Sequence, residues 1–175
     1  MRTIIFSALA LFASVSVSHA DFQCPAGQPA WHAADDEGTD YYIYGPHGLD
    51  WGKPSDEDQG GKLYLERWDD GGITWRVSVD RTFSNGVSTS YMVFPIDPKK
   101  AEEVGNKEDE ITVPYETIDE DGQEFKYLVV SPLMQQAWYA GGFKVEKFNN
   151  SAAKLGKDPI VAPNVYKKID CNTRK

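Results

Sequence analysis

The segment Ile73-Thr74-Trp75-Arg76-Val77-Ser78-Val79-Asp80 alternates apolar and polar side chains over its whole length. A period of two is typical of a β-strand that buries one face. Asn85-Gly86 follows, and this dipeptide favours a hairpin because a type I′ turn needs positive φ at both central residues. A two-residue turn there predicts the pairs Phe83–Ser88, Arg81–Ser90, Val79–Met92 and Val77–Phe94, with Val77, Val79, Met92 and Phe94 on one face.

A second hairpin is predicted immediately before this one. Leu63 to Trp68 runs into the turn sequence Asp69-Asp70-Gly71-Gly72. Pairing Trp68 with Ile73 would place Tyr64 beside Val77 and Glu66 beside Trp75. Three consecutive antiparallel strands are therefore expected. The other strand candidates are residues 41–44, 111–113, 125–130 and 143–148, with Pro114 expected to end the second of these or to place it at an edge.

Helical patterns are scarce. Leu133 to Tyr139 is expected to form two turns after Pro132 and to stop at Gly141-Gly142. Lys99 to Val104 is a second short candidate, whereas residues 45–62 and 105–124 are predicted to be loops. The chain is therefore predicted to be mainly β (α+β), a single domain with an antiparallel sheet of five to seven strands and one or two short helices.

The N-terminus has the pattern of an export signal. Arg2 precedes an apolar stretch from Ile4 to Val17, and Ser18-His19-Ala20 resembles a cleavage site. Residues 1–20 are thus predicted to be a signal peptide, since the apolar stretch is shorter than a membrane span of roughly 20 residues. Residues 21–175 would form one secreted β-rich domain, extracellular or, in a bacterium, periplasmic.

The chain contains two cysteines, one near each end of the predicted domain. Cys24 and Cys171 would share an oxidising compartment after export, so one disulfide between them is the expected pairing. In the chain-entropy model a loop of this length contributes on the order of 5 kcal/mol. A redox role would need a thiolate in an electropositive environment, which the acidic chain does not favour.

The excess of negative charge argues against two classes of binding partner. The 175-residue chain has 27 Asp+Glu against 18 Lys+Arg, which argues against binding to double-stranded DNA or to an anionic membrane surface. No cofactor is predicted. Pairing His32 or His47 with Asp35, Asp36 or Asp40 lacks the spacing of a helical zinc site, so no metal site is predicted either.

Aromatic residues are the candidates for a binding surface, because Trp and Tyr stack on sugars, bases and protein side chains. Trp68, Trp75, Phe94 and Phe148 lie on alternating patterns that favour the core. The residues assigned to an exposed binding surface are Trp31, Tyr41, Tyr44, Trp51 and Tyr91. Asn149-Asn150-Ser151 is a glycosylation sequon, meaningful only in a eukaryotic producer.

Four segments resemble secreted fungal ribonuclease-like effectors. Phe22-Gln23-Cys24 and Cys171 are similar to that family's aromatic-x-Cys start and terminal cysteine. Tyr44-Gly45-Pro46-His47 is similar to the segment with one catalytic histidine, Tyr91 to Ile96 to a Tyr-Glu-aromatic-Pro-Ile strand, and Lys126 to Val130 to the strand that carries an arginine. The resemblance implies the guanyl-specific ribonuclease fold, a helix packed on an antiparallel sheet with a bridge joining the termini.

The catalytic set of that family is incomplete here. Val93 stands where the family has its general-base glutamate, no histidine follows His47, and no arginine lies between Arg81 and Arg174. Cleavage of RNA by this chemistry needs a base, an acid and a cation at one phosphate. His47 alone is therefore a weak catalytic candidate, and the resemblance implies a fold that has lost its catalysis.

Three hypotheses follow. The first, which we favour, is a secreted non-catalytic binding protein, an effector acting on a host protein, an RNA or a polysaccharide, with protein the favoured target. The second is a periplasmic inhibitor or immunity protein directed at a basic hydrolase, with acidic loops steering association. The third is an active hydrolase that uses His47 with a carboxylate such as Asp40 or Asp50.

Overall fold

A computed structural model of the protein describes residues 22–23, 28–45, 62–83, 90–119, 125–148 and 160–169. These residues form nine strands and two helices. In chain order they are β1 (Ala30–Ala34), β2 (Asp40–Tyr44), β3 (Leu63–Asp69), β4 (Gly72–Phe83), β5 (Ser90–Pro95), α1 (Pro98–Glu103), β6 (Glu110–Asp119), β7 (Phe125–Val129), α2 (Leu133–Tyr139), β8 (Glu146–Lys147) and β9 (Val165–Ile169).

Eight of these strands close into an antiparallel barrel. From β1 to β7 each strand pairs with the next, and β9 pairs with both β7 and β1. β8 is a short ninth strand that lies along β4. The predicted open sheet of five to seven strands is therefore wrong. It lacked β1 and β9, the two strands whose pairing closes the barrel and removes both sheet edges.

The barrel interior is the main core. Side chains alternate in and out along each strand, as closure requires. The alternation predicted around Trp75 is confirmed, because Trp75, Val77 and Val79 are at most 1% exposed and lie in the same core as Met92 and Phe94. The largest fully buried side chains of the molecule include Trp75, Tyr166, Phe94 and Phe143.

The β4–β5 hairpin differs in register from the prediction. Phe83 pairs with Ser90 and Arg81 with Met92, two residues further along β5 than expected. A shift of two keeps every side chain on its predicted face, so the core composition is unchanged. The turn itself, Asn85-Gly86, lies outside the described residues.

The β3–β4 hairpin differs by one residue. Trp68 pairs with Ile73 as predicted, but a bulge between Arg67 and Trp68 shifts the rest of the ladder. Glu66 therefore lies opposite Arg76 rather than Trp75. Neighbouring residues of a strand point to opposite faces of the sheet. The one-residue shift at the bulge therefore replaces the inward-facing Trp75 with the outward-facing Arg76 as the residue opposite Glu66.

Both helices were predicted to within one residue, whereas the bounds of β6 and β8 were not. α1 begins where the Asp97 carboxylate accepts hydrogen bonds from the backbone N–H groups of Lys99 and Lys100, at 3.0 and 3.4 Å. β6 continues through Pro114 to Asp119, so Pro114 does not end that strand. The candidate at residues 143–148 is reduced to the two residues of β8 and an isolated bridge between Ile96 and Phe143.

Candidate functional site

One end of the barrel carries a short helix with an exposed aromatic face. The buried side of α2 consists of Leu133 and Ala137, followed by Ala140 directly after the helix, at the i, i+4, i+7 spacing that packs on a core. The helix ends as predicted at Gly141 and Gly142, whose φ angles of 90° and 99° favour glycine.

α2 is held firmly against its surroundings. A Cβ on Gly141 would lie 2.6 Å from the carbonyl carbon of Lys100, so only glycine permits this close approach to α1. At the other end of α2 the backbone N–H of Met134 donates a hydrogen bond of 2.8 Å to Oδ1 of Asn164. The helix therefore presents its outer side chains from a fixed position.

Three large side chains on that outer side are exposed. Met134 is 45%, Trp138 is 52% and Tyr139 is 71% exposed. Met134 and Trp138 are four residues apart and share one face of the helix. Trp and Tyr bury large areas in interfaces and are the residue types most enriched among binding hot spots. We call these three side chains the cap surface.

Three connections at the same end of the barrel are strongly acidic. β1, β3, β5 and β7 run in the same direction, and α2 follows β7. The β1–β2 turn, the β3–β4 turn and the β5–β6 connection therefore lie at the end of the barrel that carries α2. Lys99, Lys100 and Lys107 are the basic residues of these three connections. The acidic residues of these connections are Asp35, Asp36, Glu37, Asp70, Asp97, Glu102, Glu103, Glu108 and Asp109, with Asp69 at the end of β3 and Glu110 at the start of β6 directly beside them. Clustered like charge of this kind attracts a basic partner over a range of about 8–10 Å at moderate salt.

A second group of aromatic residues lies on the outer wall of β2 and β3. The ring of Phe22 stacks on that of Tyr42 with centroids 3.9 Å apart, and lies edge-on to Trp68 at 5.6 Å. Tyr44 and Tyr64 complete the group, with rings 5.7 Å apart. Phe22 is 6% and Tyr44 8% exposed, so this cluster is a small core of its own rather than an open surface.

Glu66 lies at the centre of that cluster and is 2% exposed. Its Oε1 accepts hydrogen bonds from the Tyr44 hydroxyl at 2.6 Å and from Nε of Arg76 at 2.7 Å. Its Oε2 accepts from Nε1 of Trp68 at 2.8 Å. Burial, and then the hydrogen bond to the Glu66 carboxylate, raise the pKa of Tyr44. Donors occupy both oxygens, so the geometry is that of a structural network.

A histidine–carboxylate pair lies near this cluster. Nε2 of His32 is 2.7 Å from Oδ1 of Asp40, with side chains 32% and 44% exposed. The His32 ring also lies 5.0 Å from that of Tyr42. No group of three or more His, Cys, Asp or Glu side chains suited to a metal ion occurs within the described ranges.

The predicted binding residues are placed differently from what the sequence suggested. Trp31 is 2% exposed and Tyr41 7%, both in the barrel core, and Tyr44 is buried in the outer cluster. The prediction that these three side chains are exposed is therefore wrong, because strands β1 and β2 were not expected to close a barrel. Tyr91 is half-buried on β5. Trp51, His47, Cys24 and Cys171 lie outside the described residues.

The exposed aromatic pair on α2 was not singled out from the sequence. The helix was predicted, but its buried stripe of Leu133, Ala137 and Ala140 was not used to assign the opposite face. That stripe is the signal that would have identified Trp138 and Tyr139 as outward-facing.

The amino-acid sequence matches no family model, and neither a curated protein nor a solved structure matches it. The resemblance to ribonuclease-like effectors stays a prediction. Two of the segments that carry this resemblance lie in strands: Tyr91 to Pro95 belong to β5, and Lys126 to Val129 belong to β7. Within the described ranges, no helix is both long and apolar enough to cross a membrane.

Proposed function

We propose that this protein is an exported binding protein whose cap surface docks onto a basic protein partner. The observation that carries the proposal is the exposure of Trp138 and Tyr139, 52% and 71%, on a helix whose two ends contact α1 and Asn164. Exposed apolar patches mark interaction sites when they are large, and Trp and Tyr are typical anchors of interfaces.

The charge around the anchors supports the choice of partner. Nine carboxylates and three lysines occupy three of the connections at this end of the barrel, and Asp69 and Glu110 lie directly beside them. A basic protein would be steered toward them, and its apolar contacts would then bury Met134 and Trp138. The same carboxylates repel a phosphate backbone, which makes a protein target a better fit than RNA.

Among the hypotheses drawn from the sequence, charge complementarity fits the inhibitor of a basic hydrolase most directly. An effector that binds a basic host protein would use the same surface. Binding rather than catalysis is also in keeping with Glu66, whose carboxylate is engaged by Tyr44, Trp68 and Arg76.

Binding measurements with basic probes test this proposal. Lysozyme and ribonuclease A serve as basic hydrolases, and ovalbumin as an acidic protein. We expect both basic probes to bind at low salt, with an affinity that falls steeply as salt rises, and ovalbumin not to bind. Absence of binding to both basic probes at low salt would contradict the proposal.

Matched variants locate the surface. Trp138→Ala should weaken binding at least tenfold, because a buried tryptophan anchor contributes about 2 kcal/mol or more. Ile118→Ala is the control, since Ile118 is 48% exposed but lies on the part of β6 that runs toward the other end of the barrel. Its affinity should stay within about twofold. Equal losses in both variants would place the contact elsewhere.

A further inference from the structure

The chain contains three methionines, and their surroundings differ sharply. Met1 belongs to the predicted signal peptide. Met92 on β5 is 0% exposed and lies in the barrel core. Met134, on the outer side of α2, is 45% exposed. Of the two methionines in the predicted secreted chain, residues 21–175, Met134 is therefore the one that a reagent in solution can reach.

Met134 is also part of the cap surface. It lies four residues before Trp138 on the same face of α2. The hydrogen bond of 2.8 Å from its backbone N–H to Oδ1 of Asn164 connects this residue to the segment before β9. Unbranched methionine side chains adapt to the shape of a partner and are frequent on surfaces that bind proteins. Met134 thus supplies an adaptable apolar contact beside the Trp138 indole.

The thioether of methionine is oxidised by peroxides to a sulfoxide. With hydrogen peroxide, a sulfur lone pair attacks one oxygen, an S–O bond forms and the O–O bond breaks. The hydroxide that leaves takes the proton of the transferred oxygen and departs as water. The sulfur loses two electrons to the peroxide, and a flexible apolar side chain becomes polar and chiral.

We propose that oxidation of Met134 by a peroxide regulates docking at the cap surface. This inference rests on the proposed function, because it concerns the same site. In the free protein the sulfoxide oxygen is hydrated on the outer side of α2, away from the buried Leu133 and Ala137. In the complex a partner would cover that oxygen, and covering a polar group without a hydrogen bond is unfavourable. The oxidised protein therefore docks more weakly while its fold is unchanged.

The different burial of the two methionines makes the modification selective and reversible. The barrel shields Met92 as long as the protein is folded, so peroxide reaches Met134 first. Methionine sulfoxide reductases restore the thioether, with a separate enzyme for each epimer of the sulfoxide. The exposure of Met134 gives these enzymes access without unfolding of the chain.

Hydrogen peroxide treatment of the full chain, followed by peptide mapping with mass spectrometry, tests the selectivity. We expect one added oxygen on Met134 while Met92 stays unmodified, and an unchanged midpoint of urea denaturation. Oxidation of Met92 as fast as that of Met134 in the folded protein would overturn the proposal. A lowered midpoint would also overturn it, since the effect on binding would then follow from loss of structure.

The affinity for lysozyme at low salt, measured after catalase has removed the peroxide, tests the effect on docking. We expect oxidation to weaken binding about fivefold or more, and both types of sulfoxide reductase in combination to restore it. Met92→Leu and Met134→Leu are the matched pair, because each exchanges one methionine for an apolar side chain of similar volume. Each is compared with itself before and after peroxide. Met92→Leu should lose affinity as the wild-type protein does, and Met134→Leu should not respond.

The outcomes separate this inference from the docking proposal. Unchanged affinity of the oxidised wild-type protein would overturn the regulation by Met134 and leave docking at the cap surface standing. A loss of affinity of equal size in peroxide-treated Met134→Leu would assign the effect to another residue and overturn the inference as well. If the unoxidised protein binds neither basic probe, both proposals fail.

Discussion

Glu66 and Arg76 are paired across β3 and β4 on the outer wall of the barrel, with Nε of Arg76 2.7 Å and a terminal guanidinium nitrogen 2.6 Å from the same carboxylate oxygen. The guanidinium lies between the rings of Tyr64 and Phe148, 5.4 and 5.3 Å from their centroids. Burial alone would lower the pKa of Arg76, but the hydrogen bond and the charge of Glu66 raise it. The pair therefore joins two strands and the segment after β8.

Removal of the Glu66 charge should destabilise the protein strongly. In Glu66→Gln the Arg76 guanidinium loses its counter-ion and the Tyr44 hydroxyl loses a charged acceptor. We expect the free energy of unfolding to fall by about 3 kcal/mol, the range for breaking a buried pair. Urea denaturation measures this. Glu103→Gln breaks an exposed ion pair in which Nζ of Lys100 lies 3.5 Å from Oε2 of Glu103. This variant should lower the free energy of unfolding by less than about 0.5 kcal/mol. Similar losses for both variants would contradict this account of the cluster.

Two tyrosine-to-phenylalanine variants should change stability in opposite directions. Tyr166→Phe removes a buried hydroxyl that has no partner among the described residues, and it should raise the free energy of unfolding by about 1 kcal/mol. Tyr44→Phe removes a donor to the Glu66 carboxylate and should lower that free energy by about 2 kcal/mol. Urea denaturation of the two purified variants gives both values. A loss of stability in Tyr166→Phe would show that its hydroxyl is paired.

Stability should fall at alkaline pH. Burial raises the pKa of Tyr41, Tyr44 and Tyr166, whereas the unfolded chain releases these protons near pH 10. Above that pH the unfolded state binds fewer protons than the folded state, so the free energy of unfolding decreases as pH rises. Between pH 10 and its folded-state pKa, a buried tyrosine lowers the free energy of unfolding by up to about 1.4 kcal/mol per pH unit. Denaturation series between pH 9 and pH 12 should show this decrease, and its slope should be smaller in Tyr166→Phe. An unchanged slope in that variant would contradict the burial of its phenol.

Ionic quenchers should report the charge around Trp138. The difference in tryptophan fluorescence between the wild-type protein and Trp138→Phe isolates this exposed indole. Because three acidic connections lie at the same end of the barrel, caesium should quench that signal more efficiently than iodide, and added salt should reduce the difference. More efficient quenching by iodide would mean that the acidic connections do not set the local potential.

Much of the barrel wall could be predicted from local pattern. The alternation gave the inward face of β4 correctly from Trp75 to Val79, but not at the bulge, where Thr74 is buried and Ile73 only half-buried. β1 and β9 offer no such pattern. β1 reads Ala-Trp-His-Ala-Ala, and in β9 only Tyr166 is buried between exposed residues. Their pairing spans nearly the whole chain, and no local feature of either strand indicates it.

The candidate sites were harder to predict for the same reason. Trp31 and Tyr41 lie in polar sequence surroundings, and only closure of the barrel buries them. The bulge beside Trp68, which brings Glu66 opposite Arg76, has no clear sequence mark. The bounds of α2 were predicted correctly. Which face of this helix is exposed, and hence the exposure of Trp138, could be assigned only once the position of the core was known.

A chemical-shift map of the protein with lysozyme at low salt tests the central claim most directly. The account predicts perturbations concentrated at Met134, Trp138 and Tyr139 and in residues 97–110, all of them reversed by added salt. Perturbations confined to the outer cluster around Glu66 or to the opposite end of the barrel, or none at all, would contradict it.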